Sequence, residues 1–189
     1  MAQQRDKSVL FLCTGNYYRS RFAEVLFNSV ADRMGLLWRA SSRGLALERG
    51  VNNVGPMAAS AVKALEARGL RAVAEFSRLP MQVAVEDFEA AHWIIAVKEV
   101  EHLPLLQERF PAWTEKIEFW HVDDAPEVLD LIEREVMDLA ARLIGGGRNR
   151  VAPPPETVVE PVMAKQEMPK KSAPWSAWVG KPKAGVARA

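Results

Sequence analysis

Apolar and polar positions along the first 145 residues switch between two rhythms. Ser8 to Cys13 (SVLFLC) form an almost unbroken apolar run, the pattern of a strand buried on both faces. From Ser20 to Met34 the spacing becomes helical, with Ala23, Phe27 and Val30 on one face. Leu36 to Ser42 (LLWRASS) reads as a second strand. Gly55 to Leu70 reads as a helix with Pro56 near its first turn and Gly69 as its stop. His92 to Val97 (HWIIAV) is a third strand, followed by a helix over Lys98 to Phe110 that Pro104 interrupts early. Lys116 to Val122 (KIEFWHV) is a fourth strand, and Pro126 to Ile144 a long amphipathic helix ending in glycines. Residues 71–87 fit no element well, and a short helix is expected over Val85 to Ala90. Strands alternating with helices predict an α/β fold, a parallel sheet with helices on both faces.

The pattern fails at IGGGRNRVAPPPE. The 43 residues from Gly147 to Ala189 hold 7 of the 12 prolines, and 8 basic residues against 3 acidic ones, a net +5. The whole chain of 189 residues carries +1, so residues 1–146 carry −4. Two regions follow: a domain over 1–146 and a Pro-rich basic tail over 147–189. The tail buries too little apolar area to offset its ordering entropy and is expected to be disordered. Trp175 and Trp178 are the exception. They suit anchoring on a partner, although incidental residues of a loose tail are the simpler reading.

Charge and composition exclude several classes. A near-neutral chain argues against a dedicated nucleic-acid binder. The apolar part of the N-terminus, Val9 to Leu12, is too short for a signal peptide core, and no run approaches the ~18 apolar residues of a membrane span. A soluble cytoplasmic protein is expected, with no membrane and no nucleic acid among its partners. The one cysteine, Cys13, can form neither an internal disulfide nor a thiolate zinc cage. His92, His102 and His121 are scattered without metal-ligand spacing and suit surface or strand-end roles.

Cys13 itself stands where α/β folds bind ligands, at the carboxyl end of a strand. Between it and the helix lie Thr14, Gly15, Asn16, Tyr17 and Tyr18, then Arg19 and Ser20. Gly15 and Asn16 tolerate left-handed backbone, so the loop can turn successive N–H groups inward as an anion nest at the positive end of the helix. Arg19 adds a planar two-pronged donor suited to phosphate oxygens. An ordinary thiol is only about 3% ionised at pH 7, and amide dipoles, Arg19 and the Ser20 hydroxyl would all favour the thiolate. Cys13 therefore reads as a nucleophile aimed at phosphorus, with the loop holding the equatorial oxygens. A small buried hydrophobe ending a core strand is the bland alternative.

At this point VLFLCTGNYYRSRFAE resembles the N-terminal signature of the low-molecular-weight protein tyrosine phosphatases, V-x-F-x-C-x-G-N-x-x-R-S-x-x-A-E, matched at Cys13, Gly15, Asn16, Arg19, Ser20, Ala23 and Glu24. The resemblance covers about residues 7–144. It implies a three-layer sandwich with a four-stranded parallel sheet, a phosphate-binding loop after the first strand, a phosphocysteine intermediate, and neither metal nor other cofactor. It further implies that Ser41 or Ser42 supports the loop and that Ser77-Arg78 is the family's Ser/Ala-Arg pair, with Glu75 where a histidine is common.

The family's general acid is an aspartate in an Asp-Pro pair after the fourth strand. Here Asp123 and Asp124 stand at that place, with Ala125 inserted before Pro126. Adjacent carboxylates repel, which raises the pKa of one and suits an acid; Asp124 is favoured for its place beside the Ala-Pro step. Both could instead cap the last helix. Tyr17 falls where the family tunes its pocket, and the tandem tyrosines common after the Asp-Pro pair are missing.

The expected function is a phosphomonoester hydrolase, phosphotyrosine-phosphatase-like, acting on a phosphorylated protein or a small phosphomonoester. A catalytically weak module that holds phosphate is the alternative from another class. Removal of phosphate from arginine ranks lower, as does arsenate reduction, which in its thioredoxin-coupled form needs further cysteines.

Overall fold

In the computed structural model, residues 7–71, 74–122 and 127–144 are described. Four strands, β1 (Lys7–Cys13), β2 (Trp38–Gly44), β3 (Trp93–Ala96) and β4 (Glu118–Phe119), pair in parallel in the order β2-β1-β3-β4. Five helices join them: α1 (Arg19–Met34), α2 (Ala59–Ala67), α3 (Val85–Ala90), α4 (Glu99–Arg109) and α5 (Val128–Ile144). The expected three-layer α/β sandwich is the observed fold.

β1 lies inside the sheet, and its alternating side chains feed two cores. Val9, Phe11 and Cys13 join Trp93, Ile95 and Val97 against α1, α2 and α5. Leu10 and Leu12 join Ile94 and Ala96 against α3 and α4. That double burial is why the strand reads as a continuous apolar run. Each such side chain contributes about 1.5–3 kcal/mol by leaving water.

Boundaries depart from expectation for identifiable reasons. β2 starts two residues late because Leu36 N–H closes the end of α1 on Ala31 O (2.9 Å) and Leu37 O accepts from Lys7 N–H. It runs on to Gly44 because pairing with β1 continues to Cys13. α2 begins at Ala59, so Pro56 precedes the helix; Gly69, at φ +84°, ends it as expected, with Leu70 N–H on Leu65 O. Pro104 does not interrupt α4. The helix continues through it, and the carbonyl it cannot bond, four residues back, belongs to Val100, which is 83% exposed and open to water. β4 is two residues long because its only partner, β3, ends at Ala96. The short helix over Val85–Ala90 forms as expected, and 3-10 turns occupy Leu47–Gly50, Ala74–Ser77 and Pro111–Lys116.

The chain passes from β1 to β2 on one side and then crosses to β3 on the other. Cys13 ends the strand at that reversal, where the flanking connections diverge and leave a crevice. No described helix is long and apolar enough to cross a membrane. The tail over 147–189, with Trp175 and Trp178, lies outside the described residues.

Candidate active site

The loop from Cys13 to Arg19 is closed from behind by one buried side chain. Asn16 has φ +46°, the only positive value at a non-glycine among the described residues, a conformation that costs about 1–2 kcal/mol. Its amide offsets that cost with four hydrogen bonds. Nδ2 donates to Ser20 Oγ (3.2 Å) and Ser42 Oγ (2.8 Å). Oδ1 accepts from Met81 N–H (2.9 Å) and Arg78 Nη1 (3.3 Å). Of the two serines sequence left open, Ser42 is therefore the one in contact with the loop.

Ser42 passes the network on, donating to Glu24 Oε2 (2.6 Å), which also receives Arg78 Nη2 (2.7 Å). Arg78 thus joins the site, whereas Ser77 Oγ donates only to Ala74 O within its own turn. Glu75 contributes its backbone carbonyl, which accepts from Arg21 Nη2. β2 lies against the loop, Leu45 N–H donating to Cys13 O (2.8 Å) and Ala46 N–H to Thr14 O (2.9 Å). This approach requires Gly44, where a Cβ would stand 2.5 Å from Leu47 Cδ2 and 3.0 Å from Thr14 O.

The sulfur of Cys13 is buried and 2.9 Å from Ser20 Oγ. Ser20 Oγ accepts from Asn16 through one lone pair, which leaves its hydrogen available to a charged sulfur at that distance. A charged sulfur is stabilised by such a donor. In front lies a cavity of about 150 Å³ lined by Cys13, Gly15, Tyr17, Tyr18, Arg19 and Asn53. Tyr17 OH donates to Val54 O (2.7 Å), which ties the rim to the 51–55 loop, where Val51 and Val54 are exposed. Burial pushes the Tyr18 phenol up from its usual value, with Ser60 and Arg19 pulling against it.

Arg19 is gripped by Glu101 of α4, whose two carboxylate oxygens accept from Nη2 at 2.9 and 2.7 Å. Thr14 Oγ1 donates to the same carboxylate. Burial alone would raise the Glu101 pKa, but the hydrogen bonds from Thr14 and Arg19 and the Arg19 charge outweigh it and hold the group below the usual carboxylate range.

The structure thus gathers Cys13, Gly15, Tyr17, Tyr18 and Arg19 around one cavity, with Asn16 and Ser20 behind and Thr14 turned toward α4. Asp123 and Asp124 lie outside the described residues. Sequence reasoning missed Glu101, Asn53 and Arg21. An acid in a helix's first turn and an asparagine in a loop are what unremarkable surface residues also look like, so no sequence signal separated them. His102 departs from its expected surface role. It is fully buried, and its Nδ1 accepts from Lys98 N–H (3.1 Å) at the start of α4. His92 and His121 meet Ser8 and Glu99.

The family described as "Low molecular weight phosphotyrosine protein phosphatase" matches residues 8–146. Similar solved structures include a low molecular weight protein tyrosine phosphatase from T. tengcongensis, 25% identical over 74% of this chain and 99% of that one, with a TM-score of 0.58. YfkJ from Bacillus subtilis is 24% identical over 75% of this chain and 97% of its own, with a TM-score of 0.62. Wzb from Vibrio vulnificus, in complex with benzylphosphonate, is 17% identical over 72% and 98%, with a TM-score of 0.60. No curated protein matches the sequence.

Proposed function

We infer, since the chain belongs to the low molecular weight phosphotyrosine protein phosphatase family and is a cysteine-dependent phosphatase, that Cys13 is its nucleophile and the 13–19 loop its phosphate cradle. One observation carries this reading: the only cysteine ends the central strand inside a loop pinned by Asn16, with the Ser20 hydroxyl 2.9 Å from its sulfur.

In the first step the Cys13 sulfur attacks phosphorus in line with the ester oxygen. The S–P bond forms, the P–O bond breaks, and a carboxylic acid protonates the leaving oxygen. Asp124 is that acid, with Asp123 as its neighbour and alternate. Loop N–H groups and the Arg19 guanidinium take the equatorial oxygens, whose charge they stabilise without reorganising. In the second step the same carboxylate removes a proton from water, the resulting hydroxide adds to phosphorus, and the S–P bond breaks to return the Cys13 thiolate and inorganic phosphate. The Ser20 hydroxyl then supports the departing sulfur.

The substrate is a phosphorylated protein or a small phosphomonoester, with a phenolic ester favoured. Tyr17 and Tyr18 line the cavity, Val51 and Val54 stand exposed beside it, and together they offer an apolar rim to a ring. The benzylphosphonate held by the Vibrio vulnificus protein, an aromatic ring on a phosphonate, agrees with such a rim. Residues 1–146 form the phosphatase domain and 147–189 an appended tail. The working compartment is the cytoplasm, where glutathione and thioredoxin keep thiols reduced, because an oxidised Cys13 has no second cysteine in this chain to resolve it.

The test is hydrolysis of an aryl phosphate between about pH 5 and 7. Cys13→Ser should abolish turnover, and Asp124→Asn should lower it about 10²–10⁴-fold with phosphate binding retained. Equal rates for wild type and Cys13→Ser would sink the assignment.

A further inference from the structure

The first turn of α1 carries two arginines, Arg19 and Arg21, and no acid, the reverse of what stabilises a helix N-terminus. Arg19 faces the cavity. Arg21 points the other way and is completely buried, among the largest fully buried side chains of the described residues. Its hydrogen bonding does not explain its presence. Nη2 donates to the Glu75 carbonyl, Nη1 reaches Glu24 Oε2 only at 3.4 Å, and Nε has no partner among the described residues. A guanidinium so incompletely satisfied is a liability to folding, and an apolar side chain of similar size would ordinarily serve the core as well or better.

Its charge does explain it. Behind the loop, Arg21 and Arg78 both converge on one carboxylate oxygen, Glu24 Oε2, at 3.4 and 2.7 Å. Among the described residues two cations share one anion there, so the wall behind Cys13 carries a net positive charge. The carboxylate of Glu75 is exposed and screened by water, which weakens its claim on that charge. Burial lowers the Arg21 pKa, Glu24 opposes this, and the guanidinium stays protonated at neutral pH. Arg21 directly follows Ser20, whose hydroxyl lies 2.9 Å from the Cys13 sulfur, so the charge sits close behind the loop, and in a low-dielectric wall it is felt over several ångströms.

We propose that Arg21 is a positioning residue for the phosphatase reaction: a buried cation that, with Arg78 against Glu24, keeps the back wall of the phosphate loop net positive and so favours an anion at Cys13 and in the cradle. It touches no substrate and acts through the field it places on the loop. The proposal rests on the reading of the 13–19 loop as a phosphate site, but its test needs no turnover.

The test is inorganic phosphate binding, read as protection of Cys13 from alkylation and, where turnover is seen, as product inhibition. Arg21→Met should weaken phosphate about tenfold, whereas Arg21→Lys should stay within about threefold of wild type. Combining Arg21→Met with Glu24→Gln restores one net positive charge, from Arg78, and should recover most of the phosphate affinity. A merely structural role predicts that the double variant binds more weakly than the single one. That result, or unchanged binding by folded Arg21→Met, overturns the proposal. Should Arg21→Met not fold, Arg21→Gln, which keeps hydrogen-bonding capacity without the charge, takes its place: phosphate weakened about tenfold supports the proposal, and binding equal to wild type refutes it.

Discussion

The back and the front of the Cys13 loop are held by the same kinds of groups in opposite surroundings. Behind it, Asn16, Ser20, Ser42 and Arg21 are fully buried and Glu24 nearly so, and their hydrogen bonds chain together from Asn16 through Ser42 to Glu24 and Arg78. In front, the Arg19–Glu101 pair joins side chains 13% and 31% exposed, and Tyr17 reaches a backbone carbonyl at the surface. Buried polar groups that lose a partner face the full desolvation penalty, while exposed ones turn to water. The back is therefore a fixed frame for the loop. The front is a grip that water can replace at little cost.

That contrast breaks most sharply at Glu24. Replacing it by Ala leaves Arg21 and Arg78 facing one another in the wall without their shared anion, so unfolding in urea should show a loss of about 3–5 kcal/mol. A loss as small as that of a surface ion pair would mean the wall is wetter than its burial implies. Gly44→Ala comes next. Its Cβ would press on Leu47 and on the Thr14 carbonyl, and should cost about 1–3 kcal/mol with a matching fall in phosphate affinity as the loop is pushed out of register.

The smallest effect belongs to the front. Glu101→Gln should cost no more than about 1 kcal/mol, shrinking further in about 1 M salt. Its pH dependence has a definite sign. A carboxylate held below its usual range contributes stability above the unfolded pKa of about 4.3 and loses it as pH falls through the lower folded value. Wild type and Glu101→Gln should therefore differ at neutral pH and converge in melting temperature below about pH 4. A difference that widens on acidification would contradict the pairing with Arg19.

Legibility followed the same divide. Strand β1, helix α1 and the loop between them could be read because their signals are local: an apolar run, a helical rhythm, and Gly15 and Asn16 where left-handed backbone is tolerated. The choice between Ser41 and Ser42 could not be, because both stand on β2 and only pleating against β1 decides which faces Asn16. No local signal marks Arg21 in the sequence. Its burial depends on the turn at Ala74–Ser77 folding over it, a contact with a residue 54 positions away. Pro104 misled because local rules place a break there, and only exposure of the preceding turn shows why none is needed.

The order of residues by itself settled the α/β alternation, the place of the lone cysteine at a strand's end, and a loop composed to receive an anion, since each follows from side-chain periodicity or from the backbone freedom of single residues. Which oxygen meets which nitrogen was decided only when β2, α4 and the segment around Arg78 converged on that loop. Hydrogen bonds and buried charges act over a few ångströms, and no spacing along the chain encodes which distant residues will come within that range.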